Sequence, residues 1–452
     1  MDPDRRHPGH GTDRDGTATA HRRVPVQAPV SGRPRGRART VSVVAGCLVL
    51  LAAAVVLGAR AVGREPTVTL LANWTGRDET NLRRAVIEPF ERAYHVHVDY
   101  QGSSAESQVL GADVEAGTPP DVVVLTGPGE LADYAGQKQL QPLDGLIPRE
   151  DFGTSWATPL ADGHVYWFPL KADLKSIVWY PAGTGEGQRR AARNDPAQWC
   201  VGMGSGATSG WPGTDWIEDI LLQQQGPRVY QSWTSGKLSW RSPEVRQAWT
   251  TWGRLMGAGT SEKLLRRTLK TGYAEASAPV TATPRGCTLE HQASFIRTQS
   301  TAWKQADGRY DPSAALIPGA TAKDSWEVSG DLVALLHATP QAKRLIRYLS
   351  SPAAQRAWAD AESAFSVDTR ARPAATGPTW HRTLATTLLS PAATHCFDAS
   401  DAMPPTVRDA FAEAVIDYLA HPARLTSLLT TLDTLRSAPG QTWLPAVCDQ
   451  MP

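Results

Sequence analysis

The sequence predicts an exported protein of the α/β class, with parallel strands in its first part and mainly helices in its last third. Three observations support this prediction. A single long apolar segment lies near the N-terminus, strand patterns alternate with amphipathic helical patterns from Thr67 onward, and helical patterns recur towards the C-terminus. The 452 residues allow about three ordinary domains or two large lobes.

The charge of the chain is divided at its N-terminus. Residues 1–40 contain nine arginines and four aspartates among many Pro, Gly and Thr residues, which predicts a disordered basic tail. From Pro66 onward there are 35 basic and 40 acidic residues, a net charge of −5. This balance gives no electrostatic reason to expect a nucleic acid as partner.

The segment 41–63 predicts a membrane anchor. Val41–Val62 is apolar almost throughout and about long enough to cross a bilayer as one helix. Because the arginines precede it, the basic tail is expected in the cytoplasm and the rest of the chain outside. Ala59-Arg60-Ala61 also has the form of a signal-peptidase site, so a cleaved signal is the alternative. Cys47 follows a lipobox-like sequence, but its apolar run comes after it, and we interpret it as a residue of the membrane helix.

The other four cysteines favour disulfides, as expected for an exported protein. Their spacing does not suit a zinc site, and we expect neither a metal nor another cofactor. Four cysteines allow three pairings. We favour Cys200 with Cys287 and Cys396 with Cys448, because the second bond would hold the C-terminal tail.

The first elements alternate as in a parallel sheet. In order they are a buried strand at Thr67–Ala72, a helix with a capping box of Thr75 and Asp78, a strand at His95–Tyr100, a helix at Ala105–Ala116, a strand at Val122–Leu125 and a helix from Glu130. Two further strands, Tyr166–Leu170 and Ser176–Tyr180, are expected to cross between lobes, with a charged turn at Lys171–Lys175 between them. Later helices are predicted at Trp216–Gln225, Pro243–Met256, Thr339–Leu349, Pro352–Glu362, Thr406–Leu419 and Leu425–Leu435.

Four segments carry a resemblance to a known family. They are TVTLLANWTG from Thr67, GTPPDVV from Gly117, SGWPGTDWIEDILL from Ser209 and CTLEHQASF from Cys287. The sequence resembles the extracellular solute-binding proteins of carbohydrate ABC transporters, within the branch associated with α-glucosides.

The resemblance implies a bilobed, periplasmic-binding-protein-like fold of type II, with crossover strands and a sugar held between the lobes. The first lobe would span about 66–170 and part of 300–350, and the second about 180–295 and much of 350–452. It also implies the permease subunits of an ABC transporter as partners. We expect a monomer held in the cell membrane by its N-terminal segment, with the binding domain extracellular.

A sugar site needs flat aromatic platforms and a few fixed polar groups. The chain has 16 Trp against 7 Phe, an unusual weighting for hydrophobic filling. Trp74 and its neighbour Thr75 follow the first strand, where α/β sheets place ligands, and Thr126 follows the third. Lys171 lies on the predicted crossover, where it reaches either a hydroxyl or solvent.

Further candidates lie in the second block of the chain. Trp211 and Trp216 enclose a predicted turn that carries Asp215. A core role is the alternative for the two indoles, and a helix N-cap is the alternative for Asp215. Glu290 and His291 form a polar cluster with apolar neighbours, for which a core role is the alternative. All nine residues, from Trp74 to His291, are expected to contact ligand.

Two other functions compete with transport. The carboxylates of Asp215, Glu218 and Asp219 suggest a glycoside hydrolase, but they point the same way from one helix, whereas a glycosidase pair must flank the bond. The sequence contains no G-x-S-x-G, Walker A or H-E-x-x-H motif, and we expect no enzyme. A membrane-anchored sugar sensor or adhesion module remains the second alternative.

Overall fold

The computed structural model describes residues 65–153, 155–322, 324–362, 365–371 and 378–449. The predicted basic tail, the predicted anchor Val41–Val62 and Cys47 lie outside these residues. Within them, no helix is both long enough and apolar enough to cross a membrane.

The described residues contain two β-sheets. Their strands are β1 Thr67–Ala72, β2 His97–Gly102, β3 Val122–Leu125, β4 Trp167–Leu174, β5 Ile177–Tyr180, β6 Glu290–His291, β7 Arg309–Pro312, β8 Ser325–Leu335 and β9 Thr394–Phe397. The first sheet has the order β2-β1-β3-β8-β4, with β9 also paired to β8, and the second has the order β6-β5-β7. The first three strands are parallel, as predicted. Strand β8 runs antiparallel to both β3 and β4.

Helices cover both sheets. They are α1 Arg77–Leu82, α2 Glu88–Tyr94, α3 Glu106–Glu115, α4 Pro128–Gly136, α5 Glu186–Arg193, α6 Trp211–Gln225, α7 Pro227–Thr234, α8 Pro243–Met256, α9 Glu262–Lys270, α10 Ile296–Gln299, α11 Thr301–Gln305, α12 Pro340–Leu349, α13 Pro352–Glu362, α14 Thr379–Leu388, α15 Ala399–Ala402, α16 Pro405–Ala420 and α17 Leu425–Arg436. A π-helical stretch, Arg83–Ile87, joins α1 to α2. Most predicted helices are confirmed to within one or two residues.

Two predictions about the first elements are wrong. The capping box of Thr75 and Asp78 does not form, because α1 begins at Arg77 after Gly76, whose φ of 61° provides the turn without a side-chain cap. Strand β2 begins two residues later than predicted, because His95 ends the preceding helix with a left-handed φ of 52°.

The predicted crossing between the sheets is confirmed, but its turn is shorter than expected. Strand β4 continues through Lys171 to Leu174, paired with β8 of the first sheet. Only Lys175 and Ser176 separate it from β5 of the second sheet. Lys171 therefore lies in a strand, where it is paired directly with Asp331 of β8. A second crossing links β7 of the second sheet to β8 of the first.

We call the elements around the first sheet the first lobe, and those around the second sheet and α6 the second lobe. Helices α12 and α13 pack on the first lobe, whereas α16 packs on α6 and α17. The boundary numbers given above for the lobes stay a prediction.

Both predicted disulfides are confirmed. Cys200 and Cys287 have Cα atoms 5.3 Å apart, and those of Cys396 and Cys448 are 3.9 Å apart. The second bond connects β9 to the C-terminal tail, as expected.

Candidate functional site

The candidate site lies where the crossing strands leave the first sheet. β1 ends at Ala72, so Asn73 and Trp74 emerge at the carboxyl edge that parallel strands commonly present to ligands. Strands β4 and β8 extend past this edge, and carry Lys171 and Asp331 opposite each other.

Three charged side chains and two polar ones form a network at this edge. The Lys171 Nζ lies 3.7 Å from Asp173 Oδ2 and 3.9 Å from Asp331 Oδ2. Asn73 donates a hydrogen bond of 2.7 Å to Asp331, and Ser294 donates one of 2.7 Å to Asp173. Burial raises the pKa of both carboxyls, and the Lys171 ammonium opposes that rise. The network holds hydrogen-bonding groups in fixed positions.

An aromatic cluster from the second lobe faces this network. Trp211, Tyr273 and Phe295 are each partly exposed. The ring centroids of Trp211 and Tyr273 are 5.0 Å apart, and those of Trp211 and Phe295 are 6.3 Å apart. The Lys171 Nζ lies 5.9 Å from the centre of the Phe295 ring, which joins the cluster to the charged network. Partly exposed rings beside fixed polar groups are the combination that recognises a sugar ring.

The two lobes touch on both sides of this region. Arg77 of α1 donates to the Thr298 carbonyl of the second lobe at 3.3 Å. On the other side, Arg408 of α16 lies 3.0 Å from Glu130 of α4, which also accepts from Ser107 at 2.8 Å. The lobes are therefore in contact around the site.

Two open grooves of about 390 and 500 Å³ lie elsewhere, on the surface of the second lobe. The first is lined by Thr184, Gln188, Ala191, Ala192, Asp195, Gln198, Arg285 and Thr288, and the second by residues of α9 with Thr271. Neither contains an aromatic side chain. We place the site at the aromatic cluster, because a groove alone does not provide a surface for a pyranose.

A buried ionic cluster lies beneath the site at the turn between β4 and β5. The Lys175 ammonium is 2.9 Å from Asp215 of α6 and 3.9 Å from Glu327 of β8, and it also forms an ion pair with Asp398. Although burial lowers the pKa of Lys175, these carboxylates raise it well above its usual value. Burial raises the pKa of Glu327 well above normal. The cluster ties the crossing turn to both lobes.

Asp215, Glu327 and Asp398 bring carboxylate oxygens within 4.8 Å of one another, an arrangement that suits a cation. The Lys175 ammonium already lies among these oxygens. We therefore assign the cation position to the lysine.

A second buried contact set connects α6 to the crossing turn. Asp219 accepts a hydrogen bond of 2.7 Å from Ser176, and lies 2.7 Å from His291 Nε2. The His291 ring stacks on Trp216 with centroids 4.3 Å apart. These interactions fix α6 against the second sheet.

Of the predicted ligand-binding residues, the structure brings Lys171 and Trp211 together at the site. Thr75 is exposed just after β1, and Thr126 is partly buried just after β3. Trp74 is only 5% exposed and packs against Trp358 with centroids 5.0 Å apart. Its indole lies beside Asp331, so Trp74 borders the charged network but exposes little surface for stacking on a sugar.

The other four predicted residues are interior. Trp216 is 2% exposed, and Asp215 and His291 take part in the buried contacts described above. Glu290 accepts a hydrogen bond from the Trp303 indole, and burial raises its pKa to about 8. The expected turn between the two indoles is wrong, because α6 begins at Trp211, and Gly210 rather than Asp215 is its N-cap. Pro212 fits this first helical turn.

The structure brings six further residues to the site that were not predicted from the sequence. They are Asn73, Asp173, Tyr273, Ser294, Phe295 and Asp331. Asn73 and Phe295 lie inside the segments TVTLLANWTG and CTLEHQASF, so their positions were visible although their roles were not. Asp331 becomes recognisable only through its cross-strand pairing with Lys171.

Relatives of known binding activity cover most of the chain. The α-glucosides-binding periplasmic protein AglE of Rhizobium meliloti is 28% identical over 400 residues, 78% of this chain and 83% of the relative. The osmoprotective compounds-binding protein GgtB of Synechocystis is 28% identical over 312 residues, 63% of this chain and 72% of the relative.

Solved structures have the same fold. A chitin oligosaccharide binding protein superposes with a TM-score of 0.66 at 16% identity, covering 83% of this chain and 100% of that one. The maltose-maltodextrin binding protein of Alicyclobacillus acidocaldarius gives 0.61 at 12% identity, covering 82% and 100%. These likenesses confirm the predicted bilobed fold of type II.

The family assignment rests on a match to a whole-family pattern. Residues 75–356, more than half of the chain, match the family described as bacterial extracellular solute-binding protein. This is a family of binding proteins and not of enzymes, which removes the glycoside hydrolase alternative. The chain belongs to the bacterial extracellular solute-binding proteins.

Proposed function

We propose that the protein captures a sugar or oligosaccharide of the α-glucoside kind between its lobes and delivers it to the permease subunits of an ABC transporter. The observation that carries the proposal is the aromatic cluster of Trp211, Tyr273 and Phe295 facing the network around Lys171. A pyranose would stack a C–H face on Trp211, while its hydroxyls bond to Asp173 and Asp331. The α-glucoside specificity is supported by the relative AglE.

In this proposal the lobes separate to admit the sugar and close over it by rotation about the crossing strands. The contacts of Arg77 with Thr298 and of Arg408 with Glu130 belong to the closed form. We further propose that the protein acts as a monomer, held at the outer face of the cell membrane by the segment 41–63.

Calorimetric titration of the folded protein with maltose, trehalose, sucrose and malto-oligosaccharides tests the proposal. We expect saturable binding of at least one of them. If none binds to a sample whose folding is verified by circular dichroism, the proposal is wrong. Separation of the membrane fraction, with and without the segment 41–63, tests the anchor independently.

A further inference from the structure

Two buried carboxylates flank the Lys171 ammonium. The Lys171 ammonium lies between Asp173 and Asp331, with only 13% of its side chain exposed. The two carboxylates are themselves at most 7% exposed, and they approach it at 3.7 and 3.9 Å. Its positive charge is therefore fully compensated within the protein.

Two neighbouring cations, one buried and one partly buried, are also each paired with two carboxylates. Lys175 is paired with Asp215 and Asp398. Arg408 lies 3.0 Å from both Glu130 and Asp409. Arg77 is exposed at the rim, where it donates to a carbonyl of the second lobe.

An anionic ligand would meet unfavourable electrostatics in this arrangement. To bind the Lys171 ammonium it would have to displace a carboxylate or take up a proton with it, and both reduce affinity at neutral pH. A neutral ligand has hydroxyls that donate to Asp173 and Asp331 without disturbing the ion pairs. Selection against a competing ligand by unfavourable charge is a common source of specificity.

We propose that the site accepts uncharged saccharides and rejects those that carry a carboxylate or phosphate, and that Asp173 and Asp331 set this selectivity. The inference rests on the proposed function, and it adds the charge class of the ligand and the residues that determine it.

Calorimetry with matched pairs tests the inference at pH 7. Each neutral sugar that binds is compared with its own charged derivative, beginning with methyl α-glucoside against methyl α-glucuronide and maltose against maltose 1-phosphate. We expect the neutral member to bind at least about tenfold more tightly, as like-charge contacts are costly. Equal or tighter binding of the anion would overturn the inference but leave the binding function standing. Absence of binding by every sugar would overturn the proposed function, and the inference with it.

The variant Asp173→Asn/Asp331→Asn tests which residues are responsible. It removes both negative charges while keeping the shape, so we expect the neutral-to-anion affinity ratio to fall by roughly tenfold or more. A control, Glu115→Gln/Glu413→Gln, makes the same change of net charge at two exposed positions and should leave the ratio unchanged. An unchanged ratio in the folded site variant would refute the assignment. If the double variant does not fold, the neutral-to-anion affinity ratio of the single variant Asp331→Asn is compared with that of the wild type. An unchanged ratio in this folded variant would refute the assignment.

Discussion

The Lys175 ammonium lies 2.9 Å from the Asp215 carboxylate, and this ion pair joins the turn between the crossing strands to α6 of the second lobe. Both side chains are at most 6% exposed, so the pair is shielded from solvent. The pair therefore fixes the start of α6, and with it Trp211, relative to the strand that carries Lys171. This explains how residues 40 positions apart meet at one site.

Replacing Trp211 with Ala should weaken sugar binding by roughly 1 to 3 kcal/mol, the usual loss for an aromatic side chain at the centre of a binding surface. Calorimetry measures the change. The matched control is Tyr94→Ala, at an aromatic ring that is 39% exposed on α2 of the first lobe. Unchanged affinity in a folded Trp211→Ala protein would show that the ring does not contact the ligand.

Replacing Arg408 with Met should reduce the free energy of unfolding by roughly 3 kcal/mol, because Glu130 would be left as an unpaired charge at a buried position. Urea unfolding measures this value. The double variant Arg408→Met/Glu130→Gln should recover part of the loss, since it removes the unpaired charge as well. If the two losses simply add, the residues do not interact.

The Glu290→Gln variant should alter how stability depends on pH. The pKa of Glu290 is raised from 4.5 to about 8 by burial, so its neutral form is favoured in the folded state. The stability that this group contributes is complete below pH 4.5 and is lost as the pH rises through about 8. Over this interval Glu290 should make the wild-type free energy of unfolding fall by at most about 1.4 kcal/mol per pH unit, and Glu290→Gln should remove this fall.

Unfolding of both proteins by urea, measured from pH 5 to 8, checks this expectation. Gln keeps an oxygen that accepts from the Trp303 indole, so the comparison isolates the proton. Glu115→Gln, at an exposed position, serves as the control. Parallel pH curves for wild type and Glu290→Gln would contradict the expected burial of a neutral carboxyl.

Replacing Cys396 and Cys448 with Ala removes their disulfide bond and should lower the free energy of unfolding by about 4 kcal/mol. The reason is that the bond closes a loop with a sequence separation of 52. Thermal unfolding with and without a reductant measures the effect. In the double variant, a reductant should act only through the Cys200–Cys287 bond. A reductant that leaves wild-type stability unchanged would argue against both disulfides.

The fold was largely predictable from local patterns. The apolar runs Thr67–Ala72 and Val122–Leu125 identified central strands, and the period of Pro243–Met256 identified a helix with correct bounds. The continuation of β4 through Lys171 was not predictable. A buried lysine needs carboxylate partners, and one of these partners, Asp331, comes from a strand that is distant in the sequence. Long-range pairing of this kind has no local signal.

The site was predictable only in part for the same reason. Tryptophan content suggested a sugar platform, but at least eleven of the 16 indoles are fully buried in the core. Trp211 is distinguished by partial exposure combined with its position beside Phe295, and Tyr273 by its position against Trp211. Neither property can be derived from residue type or spacing.

A crystal structure grown with a saturating disaccharide would test the central claim most directly. We expect one pyranose ring against the Trp211 indole, with its hydroxyls bonded to Asp173 or Asp331. Electron density for the sugar only in another place, such as the groove beside Arg285, would contradict the account.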